Sequence, residues 1–262
     1  MNPVQLLDAT AGMTPSGTGS YFYVGNYSVV LDNMAYHKVV GVWGRQFGTG
    51  VWSFYPCHYR CSVPGNKEIW DATIFDELDQ FVMAYEVAGQ HYWDNNAGHN
   101  YLLDVEAARR VDGAGTAVIG PPLIGESSGS INSGELSVYV AVQNLDYHKR
   151  VGIVYTTDRW QTWNNAFGSY LQSYPPGPLP AQAQVETWVI QTPVVAQRVE
   201  YAIFYIVMDN TYWDNNFGRN YVAQAYTVSE AAASEAPEQT ARRSMARAAV
   251  FARTTRQEQE SA

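Results

Sequence analysis

Residues 92–101 read YWDNNAGHNY, and residues 212–221 read YWDNNFGRNY. Eight of ten positions agree at an offset of 120, so one motif occurs twice. The likeness extends upstream in unbroken order. Asn33-Met-Ala-Tyr36-His37-Lys38-Val-Val-Gly-Val matches Asn144-Leu-Asp-Tyr147-His148-Lys149-Arg-Val-Gly-Ile at an offset of 111. Trp52 and Tyr59 pair with Trp163 and Tyr170 at the same offset. Glu68 and Trp70 pair with Glu186 and Trp188 at 118, and Phe81, Met83, Tyr85 and Val87 with Tyr201, Ile203, Tyr205 and Val207 at 120. The offset grows only between Tyr59 and Phe81, where the second copy carries longer loops, including the proline-rich SYPPGPLP at 173–180. A duplicated domain accounts for all of these pairs.

Within each copy the apolar period is two. Val138, Val140 and Val142 alternate with Ser137, Tyr139 and Ala141, and Val151, Ile153 and Tyr155 follow the same rule. Such alternation marks strands with one buried face, and no long helical period competes with it. Several short strands per copy, separated by turn signals, predict an all-β fold of two tandem β-sandwich modules. The expected organisation is a leader at 1–20, a first module at 21–108, a flexible connector at 109–134, a second module at 135–228 and a tail at 229–262. The connector, RRVDGAGTAVIGPPLIGESSGSINSG, holds six Gly and two Pro. The Ala-, Glu- and Arg-rich tail has no wide apolar stripe and reads as disordered or weakly helical.

Composition excludes several classes. No apolar stretch is long enough for a transmembrane helix. The net charge of −9 argues against a nucleic-acid binder. The N-terminus, MNPVQLLDATAGM, lacks the basic start and apolar run of a Sec-type signal, which points to the cytoplasm. Two cysteines, Cys57 and Cys61, form no disulfide framework and read as free thiols; on one strand they would lie roughly 13 Å apart.

The DNNxG segments read first as turns, because Asp and Asn bond their own backbone and Gly takes a positive φ. A calcium loop fails, since the twelfth position is Val105 or Ala225 instead of Glu. A glycosidase would need two carboxylates, and Glu68 with Asp94 recurs as Glu186 with Asp214. A small sandwich offers such a pair little depth from which to exclude water, and no nucleophile, metal or phosphate motif occurs, so neither an enzyme nor a cofactor is expected. The aromatics, 14% of the chain, are more informative. A Trp face can stack on the apolar C–H face of a glucose ring while Asn bonds the hydroxyls at its edge. In the run YWD, one of the two rings faces the core and the other faces out. Trp70 and Trp188 sit in apolar strand contexts and read as core, whereas Trp52 and Trp163 sit in polar, turn-like ones.

The pattern N-x-x-Y-x-K-x-V, then Trp, Tyr, E-x-W and YWDNNxGxNY resembles carbohydrate-binding module family 21, over 21–103 and again over 136–222. The resemblance implies immunoglobulin-like β-sandwiches that bind starch or glycogen without catalysis through two surfaces per module. The first surface would use Trp52 and Trp93 with Asn95 and Asn96, and in the second copy Trp163 and Trp213 with Asn215 and Asn216. A third aromatic that some members carry becomes Val82 and Ala202. The other surface would use Tyr36 and Tyr59 with Asn33, Lys38 and Glu68, repeated as Tyr147 and Tyr170 with Asn144, Lys149 and Glu186. A further family aromatic there becomes Lys67 and Val185, which weakens that surface. The partner implied is an α-glucan polysaccharide or malto-oligosaccharide, and a protein partner could use the tail. Glycogen-targeting phosphatase subunits also carry a short docking segment, to which Arg198-Val199-Glu200-Tyr201 comes nearest; it lies in a predicted strand. The rival class is a structural or protein-interaction scaffold, including one that targets a partner to glycogen.

Overall fold

A strand with alternating apolar residues is stable only when its apolar face meets another sheet, and each half of this chain solves that requirement by itself. The computed structural model describes residues 2–111, 115–120, 124, 128–174 and 184–225. The tail, residues 175–183 in and beyond the proline-rich segment, and parts of the connector lie outside the described residues.

The first half contains β1 (Val4–Pro15), β2 (Tyr21–Asp32), β3 (Lys38–Gln46), β4 (Trp52–Pro56), β5 (His58–Val63), β6 (Lys67–Ile74), β7 (Leu78–Val87), β8 (Gln90–Asp94), β9 (Tyr101–Leu102), the one-turn helix α1 (Val105–Ala108) and β10 (Thr116–Ile119). One sheet has the order β10-β1-β2-β6-β5; the facing sheet is β4-β3-β7-β8, with β9 also on β7. All these pairings are antiparallel. Val4, Leu6, Tyr27, Leu31, Val42, Phe81, Met83 and Tyr85 from both sheets close one dry core.

The second half contains β11 (Ser128–Asn132), β12 (Glu135–Gln143), β13 (Lys149–Thr156), β14 (Asn164–Phe167), β15 (Ser169–Tyr174), β16 (Val185–Pro193), β17 (Arg198–Val207), β18 (Asn210–Asp214) and β19 (Tyr221–Gln224). Its sheets are β11-β12-β16-β15 and β14-β13-β17-β18, with β19 on β17. Val138, Val140, Val142, Ile153, Tyr201, Ile203 and Tyr205 fill the space between them. The all-β fold expected from the alternation is therefore present in both halves.

Two segments differ from the expectation. Residues 1–20 were expected to be a leader, yet Val4–Pro15 forms β1. It pairs with β2 along its whole length and sends Val4, Leu6, Ala9 and Ala11 into the core. A one-residue bulge between Leu6 and Asp8 breaks the strict alternation that would have announced a strand. The connector is also less free than its glycines suggest. Thr116–Ile119 pairs with β1 as an edge strand, and Ser128–Asn132 forms β11. A β-branched TAVI run satisfies its backbone on an open sheet edge more cheaply than in a loop.

These segments bring the two modules into contact. Ala117 and Ile119 of β10 pack on Ala141, Tyr174 and Val185, which lie on the outer face of the β12-β16-β15 sheet. Gln143 Nε2 donates to Ile119 O at 3.0 Å. Phe217, the variable residue of the second DNNxG motif, packs against Val30, Val63 and Ile69 on the outer face of the first module. Its counterpart Ala97 is exposed.

Candidate functional site

The repeated DNNxG segment is a built turn. Asn96, Ala97, Gly98 and Asn100 all have positive φ, as do Asn216, Phe217, Gly218 and Asn220. Asn tolerates the left-handed region better than most residues, and Gly98, at φ +93°, pays no Cβ penalty. Side chains hold the turn. Asn95 Oδ1 accepts from Gly98 N at 3.0 Å and Asn96 Nδ2 donates to Asn100 O at 3.0 Å; Asn215 and Asn216 repeat both bonds at 2.9 and 3.1 Å. Asp94 is buried and accepts from Leu6 N at 2.7 Å and Tyr101 Oη at 2.9 Å. Burial, then the charge of Asp94, raises the Tyr101 phenol well above its ordinary pKa. In the second copy Tyr221 Oη donates to Asp214 at 2.6 Å.

This turn sets the direction of the preceding strand. Tyr92 faces in and packs near Tyr85, while Trp93 faces out at 45% exposure; Tyr212 and Trp213 repeat the arrangement, with Trp213 at 56%. Trp52 and Trp163, expected to be exposed, are 39% and 61% exposed. Trp70 and Trp188 are only partly buried, packed against their cores as expected.

In the first module Trp52, Trp93 and Asn95 come together around a hollow of about 310 Å³. Its walls also include Trp43, Val82 and Asn100, which the reading of the sequence missed. Alternation along β3 carried the signal, because Val40 and Val42 are buried, so Gly41, Trp43 and Arg45 point outward. Asn96 does not line the hollow, and its amide is spent on Asn100 O.

The second-copy loop from Thr156 to Trp163 is held by Asp158. Its carboxylate accepts from Thr162 Oγ1 at 2.7 Å, Thr162 N at 2.9 Å and Thr156 Oγ1 at 2.7 Å. These bonds, Thr162 Oγ1 foremost, lower its pKa from 3.8 to about 2. A depressed folded pKa means that the contribution is whole above the unfolded value of 3.8 and is lost as pH falls through about 2. The Thr162 amide resonance should therefore hold still from pH 7 to roughly pH 4 and move only below that. Movement centred near pH 4 would show that the carboxylate lacks these bonds. Trp160 Nε1 donates to Glu200 at 2.9 Å, fixing a second ring in the same loop.

The other proposed surface is arranged differently from its expectation. Tyr36 and Tyr147 stand almost fully exposed, and Tyr59 and Tyr170 are half exposed. Tyr59 Oη and Tyr170 Oη bond Ser62 and Ser173, and each ring meets the edge of Trp70 or Trp188 at 5.9 and 6.2 Å. Lys38 and Lys149 are turned inward. Lys38 Nζ bonds Glu68 Oε2 at 2.8 Å and Asn33 Oδ1 at 2.5 Å; Lys149 Nζ bonds Glu186 Oε2 at 2.9 Å and Asn144 Oδ1. Trp70 and Trp188 Nε1 donate to the same Glu oxygens. Glu68, Glu186 and Asp94 are thus occupied in holding the framework. A second hollow, of about 540 Å³, lies beside Tyr147, His148 and Arg150 and the Ile206–Asp209 turn, and Tyr170 is not among its walls. Of the positions where the family aromatic is missing, Lys67 pairs with Asp32 and Val185 is buried in the contact with β10.

Cys57 and Cys61 carry no disulfide, and burial, with Asp71 second, pushes the Cys57 thiol up to about 12. Arg198–Tyr201 lies within β17, with Val199 and Tyr201 buried, so this string is not available for docking. Among the described residues no helix is long and apolar enough to cross a membrane.

Fold and geometry together define a protein with paired β-sandwich modules, each presenting exposed tryptophans beside an asparagine-rich turn. Residues 126–224 match the family model of the carbohydrate/starch-binding module (family 21). Glycogen-binding subunit 76A of Drosophila melanogaster is 33% identical over 91 residues, 34% of this chain and 13% of that protein. Protein phosphatase 1 regulatory subunit 3C of Bos taurus is 29% identical over 85 residues, 31% of this chain and 26% of that protein. The chain therefore spans well under a third of these two relatives' lengths. Among solved structures, the starch-binding domain of Rhizopus oryzae glucoamylase, in complex with β-cyclodextrin and maltoheptaose, is 22% identical. It covers 40% of this chain and 94% of its own, with a TM-score of 0.30. The carbohydrate-binding module of the muscle glycogen-targeting subunit of protein phosphatase 1 is also 22% identical, over 38% of this chain and 72% of its own, with a TM-score of 0.29.

Proposed function

We propose that the chain binds α-glucan, without catalysis, through the tryptophan surfaces of its two tandem modules. The observation that carries this reading is the exposed Trp93 and Trp213, each on a strand that runs straight into a turn locked by its own asparagines. An exposed indole on a rigid support offers stacking area without an ordering cost at the moment of binding. The family-model match over the second copy, and the relative named as a glycogen-binding subunit, support the same ligand class. The carboxylates that a hydrolase would need are instead engaged by Lys38, Lys149, Leu6 and Tyr101. Two modules on one chain raise the apparent affinity for a branched polymer through effective concentration.

Calorimetric titration with β-cyclodextrin or maltoheptaose tests this. Wild type should bind saturably, and Trp93→Ala/Trp213→Ala should lose at least about tenfold in affinity, roughly 1.4 kcal/mol. An absence of heat in wild type at millimolar ligand would sink the reading. Unchanged affinity in the double variant would move the site to the Tyr36/Tyr59 and Tyr147/Tyr170 surfaces.

A second reading, targeting of a protein partner to glucan, is favoured by relatives named as phosphatase regulatory subunits. Such a partner would have to use residues other than Arg198–Tyr201, a string held within β17 with Val199 and Tyr201 buried, the tail at 229–262 among them.

A further inference from the structure

The two copies do not present the same face. On the outer face of the first module's β4-β3-β7-β8 sheet, Trp93 lies opposite Ala84, and Trp43 opposite both Val82 and Phe54. On the corresponding face of the second module Trp213 lies opposite Phe204, and Val154 opposite Ala202 and Asn165. A glycine occupies equivalent positions in both, Gly41 and Gly152, and each lies beneath an aromatic ring. A Cβ on Gly41 would come within 2.3 Å of Phe54, and a Cβ on Gly152 within 2.5 Å of Phe204. The ring comes from opposite sides. Phe54 reaches Gly41 from β4, which leaves the floor between Trp43 and Trp93 to the small Ala84 and Val82. Phe204 reaches Gly152 from β17 and fills the equivalent floor beside Trp213, with ring centroids 5.7 Å apart. Phe167 then packs edge-on against Phe204 at 5.5 Å, and the Arg150 guanidinium lies 5.4 Å over Phe167.

From this difference we infer that the first module holds a concave, three-tryptophan glucan site in which Trp43 is a binding residue, and that it is the tighter of the two sites. The inference rests on the α-glucan reading above. Trp43, Trp52 and Trp93 line a shallow, open hollow of about 310 Å³, which suits a short segment of one chain lying along the surface. Its polar rim is ready for hydroxyls. Asn95 has committed only Oδ1, to Gly98 N, and the Asn100 side-chain amide has no hydrogen-bond partner among the described residues. A sugar ring placed there meets indole carbon on more than one side and has more of its apolar surface removed from water than it would flat against the exposed face of Trp213 or Trp163.

The test uses the full chain and maltoheptaose calorimetry. Trp213→Ala, which leaves the first site, should bind about tenfold more tightly than Trp93→Ala, which leaves the second. In the Trp213→Ala background, Trp43→Ala and, separately, Ala84→Phe should each weaken binding about tenfold. Ala84→Phe keeps every tryptophan; because Phe54 already covers Gly41, where Phe204 covers Gly152 in the second module, the added ring has to rise into the hollow and fill its floor. Circular dichroism confirms that each variant is folded. Equal or tighter binding by Trp93→Ala overturns the inference, as does undiminished binding in either Trp43→Ala or Ala84→Phe, while in each case the α-glucan reading stands. Wild type without binding overturns both.

Discussion

Replacing Lys149 with alanine should destabilise the second module by about 3–5 kcal/mol, read as a lower urea midpoint at unchanged slope. The ammonium sits between Asn144 and Glu186, and the Lys149 and Glu186 side chains are only 3% and 9% exposed. Trp188 Nε1 still donates to the same carboxylate at 3.1 Å, but a neutral N–H cannot balance a buried charge. Truncation therefore strands Glu186 in a poorly solvated site, which costs more than the bond itself was worth. Removing both partners, as Lys149→Met/Glu186→Leu, should recover most of the loss, because the uncompensated charge disappears with its partner. Lys38→Ala should behave alike in the first module, where Lys38 and Glu68 are 3% and 11% exposed. A loss below about 1 kcal/mol would place the lysine in solvent, where it could meet a ligand. The expected outcome instead removes Lys38 and Lys149 from the direct sugar contacts and leaves the exposed tyrosines as what remains of that surface.

Replacing Asp94 with alanine should cost the first module about 2–4 kcal/mol and weaken glucan binding as well. One carboxylate joins three segments: Leu6 N on β1, Tyr101 Oη on β9 and, at 3.4 Å, Asn96 N in the turn. Its loss leaves a buried peptide N–H and a buried phenol without acceptors, and each such group carries its own desolvation penalty. The turn that carries Asn95 would also lose the anchor that holds it behind Trp93. Faster hydrogen exchange at the Leu6 amide, together with reduced affinity for maltoheptaose, checks both halves of the prediction. If exchange at Leu6 stays slow, Asp94 is not the acceptor that the amide depends on.

These cases show where the sequence could be read and where it could not. The doubled YWDNNxGxNY motif and the period-two runs were enough to foresee two all-β modules and to say that one ring of each Tyr-Trp pair faces out. Both are local facts: strand alternation assigns faces, and Asn and Gly mark left-handed turns. The family resemblance, not the alternation, chose Trp93 and Trp213. Lys38 and Lys149 also stood out as a repeated pair, but spacing could not say that each turns inward onto a glutamate. That depends on β6 and β16, whose Glu68 and Glu186 lie 30 and 37 residues further on.

The sequence by itself determined the duplication, the fold class and the candidate tryptophans, because a repeat, an alternation and a turn signal need only neighbouring residues. Tertiary structure decided that β1 and β10 complete the first module, that Phe217 and Val185 are spent on the contact between modules, and that Trp43 stands over a hollow. Each of these is set by which side chain lies opposite across a hydrogen-bonded pair, such as Ala84 facing Trp93 where Phe204 faces Trp213. Cross-strand pairing joins residues far apart in the chain, so their sizes add up to a hollow or a filled floor only once the sheets have formed.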